Sequence, residues 1–189
     1  REVGGNAIAM LADLQTVSAC RDLIRDIHQK LGRLDILVNN AGTNRRKPIA
    51  EVTEEDYDFI TNTNTRAIYF LSQAAQPIMR DQGGGKIIHI ASMNVFYALD
   101  SVSVYGLSKG AVAQLTKVQA VEWAQDNIQV NCITPGFVRT PLSKAVWDDP
   151  KKARWLLARI PMRRAGKPDE LAGVALLLAS HGSDYLTGQ

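Results

Sequence analysis

The chain has 189 residues, 46% of them hydrophobic and 22% charged, with 22 Lys and Arg against 19 Asp and Glu for a net charge of +3. That length suits one domain whose core needs no staples, and the composition excludes collagen-like, coiled-coil and disordered classes. The mild charge makes no case for nucleic acid, and the longest near-continuous apolar run, residues 171–179, is about half the roughly 20 residues of a membrane span. Cys20 and Cys132 are too few and too far apart for a disulfide framework or a zinc site, so they read as reduced thiols of a cytoplasmic protein.

In chain order, Ala7-Ile8-Ala9-Met10-Leu11-Ala12 predicts a short buried strand ending at Asp13. Residues 16–31 place Val17, Cys20, Leu23, Ile24, Ile27 and Leu31 at helical spacing, with Thr16 or Ser18 as cap and Gly32 as stop. Leu34-Asp35-Ile36-Leu37-Val38 predicts a second strand, and Asn39-Asn40-Ala41-Gly42 a tight turn after it. A basic, proline-containing loop over 43–52 leads to Thr53-Glu54-Glu55-Asp56, whose acids suit the positive end of a helix dipole. That helix is expected to run to about residue 81 and stop at Gly83-Gly84-Gly85. A third strand follows over 86–91, a long helix over 104–125 and a fourth strand over 128–133, broken by Pro135-Gly136. Residues 139–167 read as irregular or short helical pieces, and 168–180 as a last helix opening on Pro168. The alternation of apolar strands and helices implies an α/β domain: a doubly wound parallel sheet with helices on both faces.

In such a sheet, ligands bind beyond the carboxyl ends of the strands. The sharpest signal there is Tyr105-Gly106-Leu107-Ser108-Lys109, which puts a phenol and an ammonium one helical turn apart near a helix N-terminus. A neighbouring ammonium and the helix dipole both favour a phenolate, so this tyrosine is expected to have a lowered pKa and to exchange a proton with an alcohol oxygen. Ser92, at the end of the third strand, can hold the same oxygen. Read alone, the pair is equally a surface tyrosine and a solvated lysine. His28, His89 and His181 lack metal-ligand spacing, and no metal is expected.

These motifs arrive together and in order. Asp13-Leu14, Asn39-Asn40-Ala41-Gly42, Asn64 within Asn62-Thr63-Asn64-Thr65, the trio Ser92, Tyr105 and Lys109, and Asn131-Cys132-Ile133-Thr134-Pro135-Gly136 followed by Thr140 closely resemble the short-chain dehydrogenases/reductases along essentially the whole chain. The resemblance implies a Rossmann-type fold and hydride transfer between NAD or NADP and an alcohol or ketone. It assigns catalysis to Asn64, Ser92, Tyr105 and Lys109, with Asn64 kinking its helix and holding a water that relays protons through Lys109. It assigns the cofactor to Asp13, Leu14, Asn39, Ala41, Gly42, Tyr105, Lys109, Pro135, Gly136, Val138 and Thr140.

The same resemblance expects a glycine-rich phosphate turn before the first strand and a final strand after residue 189. Gly4-Gly5 lacks the spacing of that turn, and the chain starts at Arg1. The expectation is therefore a partial domain whose 189 residues alone would not form a stable, active enzyme. The choice between NAD and NADP sits in the expected preceding segment.

The loop Thr43-Asn44-Arg45-Arg46-Lys47-Pro48 resembles that of gluconate 5-dehydrogenase-like and deoxygluconate dehydrogenase-like members. An arginine fork suits a carboxylate, so Arg45 or Arg46 is the substrate candidate, with Asn94, Ser92 and Tyr105 beside it. A solvated basic loop is the plain alternative. Residues 139–170 carry nine basic and four acidic side chains and correspond to the family's substrate lid, about 139–167. A sugar acid or related polyol is the expected substrate. A 3-oxoacyl-thioester reductase of acyl-carrier-protein substrates is the alternative, and a catalytically silent dinucleotide-binding scaffold the alternative of another class. A homotetramer or dimer formed through the helices near 56–81 and 104–125 is expected, without nucleic acid or membrane.

Overall fold

The computed structural model describes residues 5–189, so Arg1 and Gly4 lie outside the described residues. Three parallel strands, β1 (Ile36–Asn39), β2 (Gly85–Ile90) and β3 (Ile128–Ile133), lie side by side in the order β1-β2-β3. Ile36 pairs with Lys86 across the first ladder, and Ile88 with Asn131 across the second. β2 is central, and Ile87, Ile88 and His89 along it are fully buried. Its successive side chains alternate between faces. Ile87 joins Cys20, Ile24, Met79, Ile128 and Val130 under helices α1 (Val17–Leu31) and α3 (Ala67–Asp81). Ile88 joins Ile133 and Leu178, the latter from α5 (Ala172–Ala179) on the other face. Burying such a side chain is worth about 1.5–3 kcal/mol, which is why both faces of the strand are apolar. Helices thus cover both faces of a single domain.

Local sequence explains the helix limits. Thr16 accepts a bond from the Ala19 N–H at the start of α1, and Gly32, at φ 78°, turns the chain left-handed at its end. The capping box of α2 (Glu54–Thr61) pairs Thr53 with Asp56. The single helix expected over 53–81 is broken. Between α2 and α3, residues Asn62–Arg66 form one wide π-type turn, in which the Ala67 N–H reaches back to the Asn62 carbonyl. The long helix α4 is Ser103–Trp123. The final expected helix opens as a tight 3₁₀ turn over Pro168–Leu171 before α5.

Two strand expectations change. Residues 7–12 form no strand, and Leu11 is fully exposed. Strand backbone needs a partner ladder, and none lies beside this segment among the described residues. The second expected strand shifts toward its carboxyl end, so Asn39 closes β1 rather than opening the turn. Beyond β3, residues 187–189 run along its outer edge, where the Gly188 N–H bonds the Val130 carbonyl at 2.7 Å and the Cys132 N–H bonds the Gln189 carbonyl at 2.7 Å.

Candidate active site

A cleft of about 810 Å³ opens at the carboxyl ends of the strands, and Ser92, Tyr105 and Lys109 all line it. Its volume suits a small-molecule ligand. Ser92 leaves β2 in extended conformation, and its hydroxyl accepts the Asn94 N–H at 3.2 Å. The Met93 N–H bonds the Pro135 carbonyl at 3.0 Å, so the loops after β2 and β3 form one rim. Tyr105 and Lys109 come from the first turns of α4. The buried Lys109 ammonium donates to the carbonyl of Ile90, the last residue of β2, at 2.6 Å and lies 5.7 Å from the Tyr105 ring centroid.

The electrostatics correct one expectation. Burial pushes the Tyr105 phenol above its ordinary value, while the Ser92 hydroxyl and the Arg46 charge pull it down by less. Lys109 adds little to that balance, and burial pushes the lysine itself down to about 8. The tyrosine is therefore a protonated donor at neutral pH.

Asn64 sits fully buried inside the π-type turn. Its Oδ1 accepts the Thr43 N–H at 2.8 Å, and its Nδ2 donates to the Thr43 carbonyl at 2.9 Å and to Ser108 Oγ at 3.0 Å. Ser108 Oγ in turn donates to the Tyr105 carbonyl at 2.8 Å. Both amide hydrogens are spent on protein. The carboxamide therefore ties the strand-end loop to α4, and the expected water-holding part is not carried by its N–H groups. A Cβ at Gly42 would stand 3.5 Å from Lys109 Nζ and 3.6 Å from Asn64 Oδ1, which shows how closely the turn after β1 approaches the ammonium.

Of the expected cofactor residues, Gly42, Pro135, Gly136, Val138 and Thr140 line the cleft with Tyr105 and Lys109. Asp13, Leu14, Asn39 and Ala41 do not. Asp13 accepts the Gln15 N–H at 3.0 Å in the turn before α1, and Leu14 packs on the core. Asn39 points into the interior, where its Nδ2 donates to Ser72 Oγ at 3.1 Å and to His89 Nδ1 at 3.1 Å. It does so because, as the last residue of β1, it follows the strand's alternation. His89 Nε2 then donates to Gln119 Oε1 at 2.9 Å, and burial pushes its pKa down to about 4.

A nicotinamide and its ribose fit the residues present. A Cβ at Gly136 would meet open space, Lys109 uses one of its three N–H donors on protein, and the buried Asn44 Oδ1 lacks a partner among the described residues. Asn44, Phe137 and Leu142 line the cleft as well and were not singled out from sequence. Asn44 could have been found from its place two residues after the turn.

The two substrate arginines separate. Arg45 is spent on protein: it pairs with Glu55 at 2.8 Å and Asp56 at 3.2 Å and stacks on the Phe59 ring at 4.1 Å, so its expected substrate role is not supported. Arg46 lines the cleft with Asn94, and among the described residues it has no ion-pair partner.

Residues 1–189 match the family described as enoyl-(acyl carrier protein) reductase. The chain is 39% identical over 187 residues to the 2-dehydro-3-deoxy-D-gluconate 5-dehydrogenase of Dickeya dadantii, covering 98% of this chain and 74% of that protein. It is 38% identical over 181 residues to a tropinone reductase homolog of Arabidopsis thaliana, covering 91% of this chain and 69% of that protein. A second Arabidopsis homolog of that type is matched over 54% of its length. Among solved structures, a gluconate 5-dehydrogenase from Burkholderia cenocepacia in complex with NADP and tartrate aligns with a TM-score of 0.91 at 37% identity, covering 94% of this chain and 69% of that one. The chain belongs to the short-chain dehydrogenase/reductase family of NAD(P)-dependent oxidoreductases.

Proposed function

We propose that the protein interconverts the alcohol and ketone of a sugar acid or related polyol, with NAD or NADP as hydride partner. A bound nicotinamide supplies or accepts the hydride. Tyr105, a phenol that keeps its proton at neutral pH and that partial burial holds above its ordinary value, gives that proton to the forming alkoxide in reduction and regains it in oxidation. Ser92 orients the same oxygen from the end of β2. Lys109, anchored on the Ile90 carbonyl, has donors left for ribose hydroxyls. Asn64 keeps the strand-end loop against α4.

The observation that carries the substrate class is Arg46, a guanidinium on the cleft wall that has no carboxylate partner among the described residues and is close enough to act on the Tyr105 phenol. A carboxylate one sugar length from the reacting carbon would complete it. The names of the Dickeya and Burkholderia relatives support the same class. Steady-state kinetics on aldonates and matched neutral polyols, with both cofactors, test it. Arg46→Ala should raise KM for aldonates by about 10- to 100-fold more than for polyols, the worth of a charge-assisted pair. Arg45→Ala, whose side chain meets protein carboxylates, should discriminate less than Arg46→Ala. Equal effects on both substrates for Arg46→Ala would sink the assignment.

A relative named 3-oxoacyl-[acyl-carrier-protein] reductase, from Thermotoga maritima and 40% identical over 170 residues, favours a second reading, reduction of 3-oxoacyl thioesters. Turnover of an acyl thioester above that of any sugar acid would select it. Residues 139–167, held at their base by the Val138–Gly166 bridge, act in either reading as the lid over one Rossmann domain. The exposed Tyr57, Tyr69, Val118 and Val121 on α2, α3 and α4 support a homotetramer built on these helices, which light scattering would test. No helix among the described residues is long and apolar enough to cross a membrane, and the unpaired Cys20 and Cys132 fit a cytoplasmic setting.

A further inference from the structure

A buried carboxylate outside the reaction machinery stands behind the substrate loop. Asp56, in the first turn of α2, has its side chain 4% exposed. It accepts the Thr53 N–H at 3.2 Å and the Thr53 hydroxyl at 2.9 Å, which is what a helix cap requires. It also takes two cations that a cap does not require. The Lys47 ammonium bonds one oxygen, and the Arg45 guanidinium bonds the other at 3.2 Å.

Those two cations flank Arg46. Pro48 restricts Lys47 to extended backbone, and Lys47 forms an isolated parallel bridge with Val102, its N–H bonding the Ser101 carbonyl at 3.1 Å. In extended chain, neighbours point to opposite sides. With the side chains of Arg45 and Lys47 both drawn to one carboxylate, Arg46 is turned the other way, onto the cleft wall. The Phe59 ring under Arg45 fixes that side further.

We infer that Asp56 is a positioning residue for substrate specificity: by clamping Arg45 and Lys47 it aims Arg46 at the anionic end of the substrate. The inference rests on the sugar-acid reading, in which Arg46 meets a carboxylate. It also gives Arg45 and Lys47 a joint role, as cations consumed to orient the one between them. A freely rotating Arg46 would lose rotamer entropy on each binding event, and a clamped loop removes part of that cost.

The test is a kinetic cycle on the enzyme as it occurs, with cofactor saturating. Asp56→Asn keeps the size and an acceptor for the cap but removes the charge; Lys47→Met removes one arm of the clamp without touching the cap. Each should raise KM for an aldonate several-fold to about tenfold more than for the matched polyol, with the change falling on KM rather than kcat. Asp56→Glu should recover part of the discrimination. In an Arg46→Ala background, Asp56→Asn and Lys47→Met should add nothing to the aldonate-to-polyol KM ratio, because their route is gone. Equal KM rises for both substrates, or full additivity with Arg46→Ala, would overturn the positioning role while leaving Arg46 as the anion reader. Equal KM rises for aldonate and polyol in the Arg46→Ala enzyme itself would overturn the substrate reading and this inference with it.

Discussion

Replacing Lys109 by methionine separates the cost of burying its charge from the use of that charge in turnover. The ammonium is 3% exposed, and burial holds its pKa at about 8 against an ordinary 10.5. Between those values the folded protein releases the proton while the unfolded chain keeps it, so stability rises with pH across that window. Below pH 8 the folded state carries the full penalty, about 3 kcal/mol from the gap between the two values. Methionine removes the penalty but leaves the Ile90 carbonyl without its donor, at a cost of about 1–3 kcal/mol that does not change with pH. Urea unfolding of both proteins without cofactor, at intervals from pH 7 to 10.5, gives the difference in stability. The wild type should gain on Lys109→Met by about 3 kcal/mol over that range, and the variant should be inactive throughout. A difference that stays flat with pH would mean that Lys109 keeps an ordinary pKa, and the reasoning about burial would fail.

Two further outcomes follow from packing and from the buried histidine. Gly84 has φ 139°, and a Cβ there would lie 2.6 Å from the Asn127 backbone carbonyl, so Gly84→Ala should cost at least about 2 kcal/mol in chemical denaturation. Gly85→Ala also meets an atom at 2.6 Å, but that atom is the Met79 sulfur on a flexible chain, so its cost should be smaller. His89, held neutral with a pKa near 4, should make the folded state lose stability as pH falls from about 6.5 toward 4. A His89→Gln protein, measured by thermal unfolding over the same range, should lose less.

Much of this was legible because the relevant signals are local. Thr16 and Gly32 mark α1 through capping chemistry that the backbone itself demands, and the four-residue spacing of Tyr105 and Lys109 places both on one face of any helix. Apolar runs at Ile87-Ile88 and Val130 marked central strands, since both faces there need covering. The failures have a shared cause: the deciding partner lies far away in sequence. Residues 7–12 look like a strand, yet strand formation depends on a neighbour that periodicity cannot supply. The wide turn at Asn62–Arg66 leaves no mark in the periodicity, because Asn64 holds it through Thr43 and Ser108; only the family resemblance pointed to a kink at Asn64. Arg45 and Arg46 are equal as letters, and only Asp56, Glu55 and Phe59 separate them. Spacing alone gives the opposite sign for the Tyr105 shift, because it reveals the nearby ammonium and hides the burial that raises the phenol.

Tyr105→Phe tests the account most directly. Cofactor binding followed by fluorescence should persist, while single-turnover hydride transfer, read from nicotinamide absorbance, should fall by at least about 100-fold, the usual worth of a positioned proton donor. Hydride transfer at an undiminished rate in that variant would contradict the assignment of the proton to this phenol, and with it the reaction placed in this cleft.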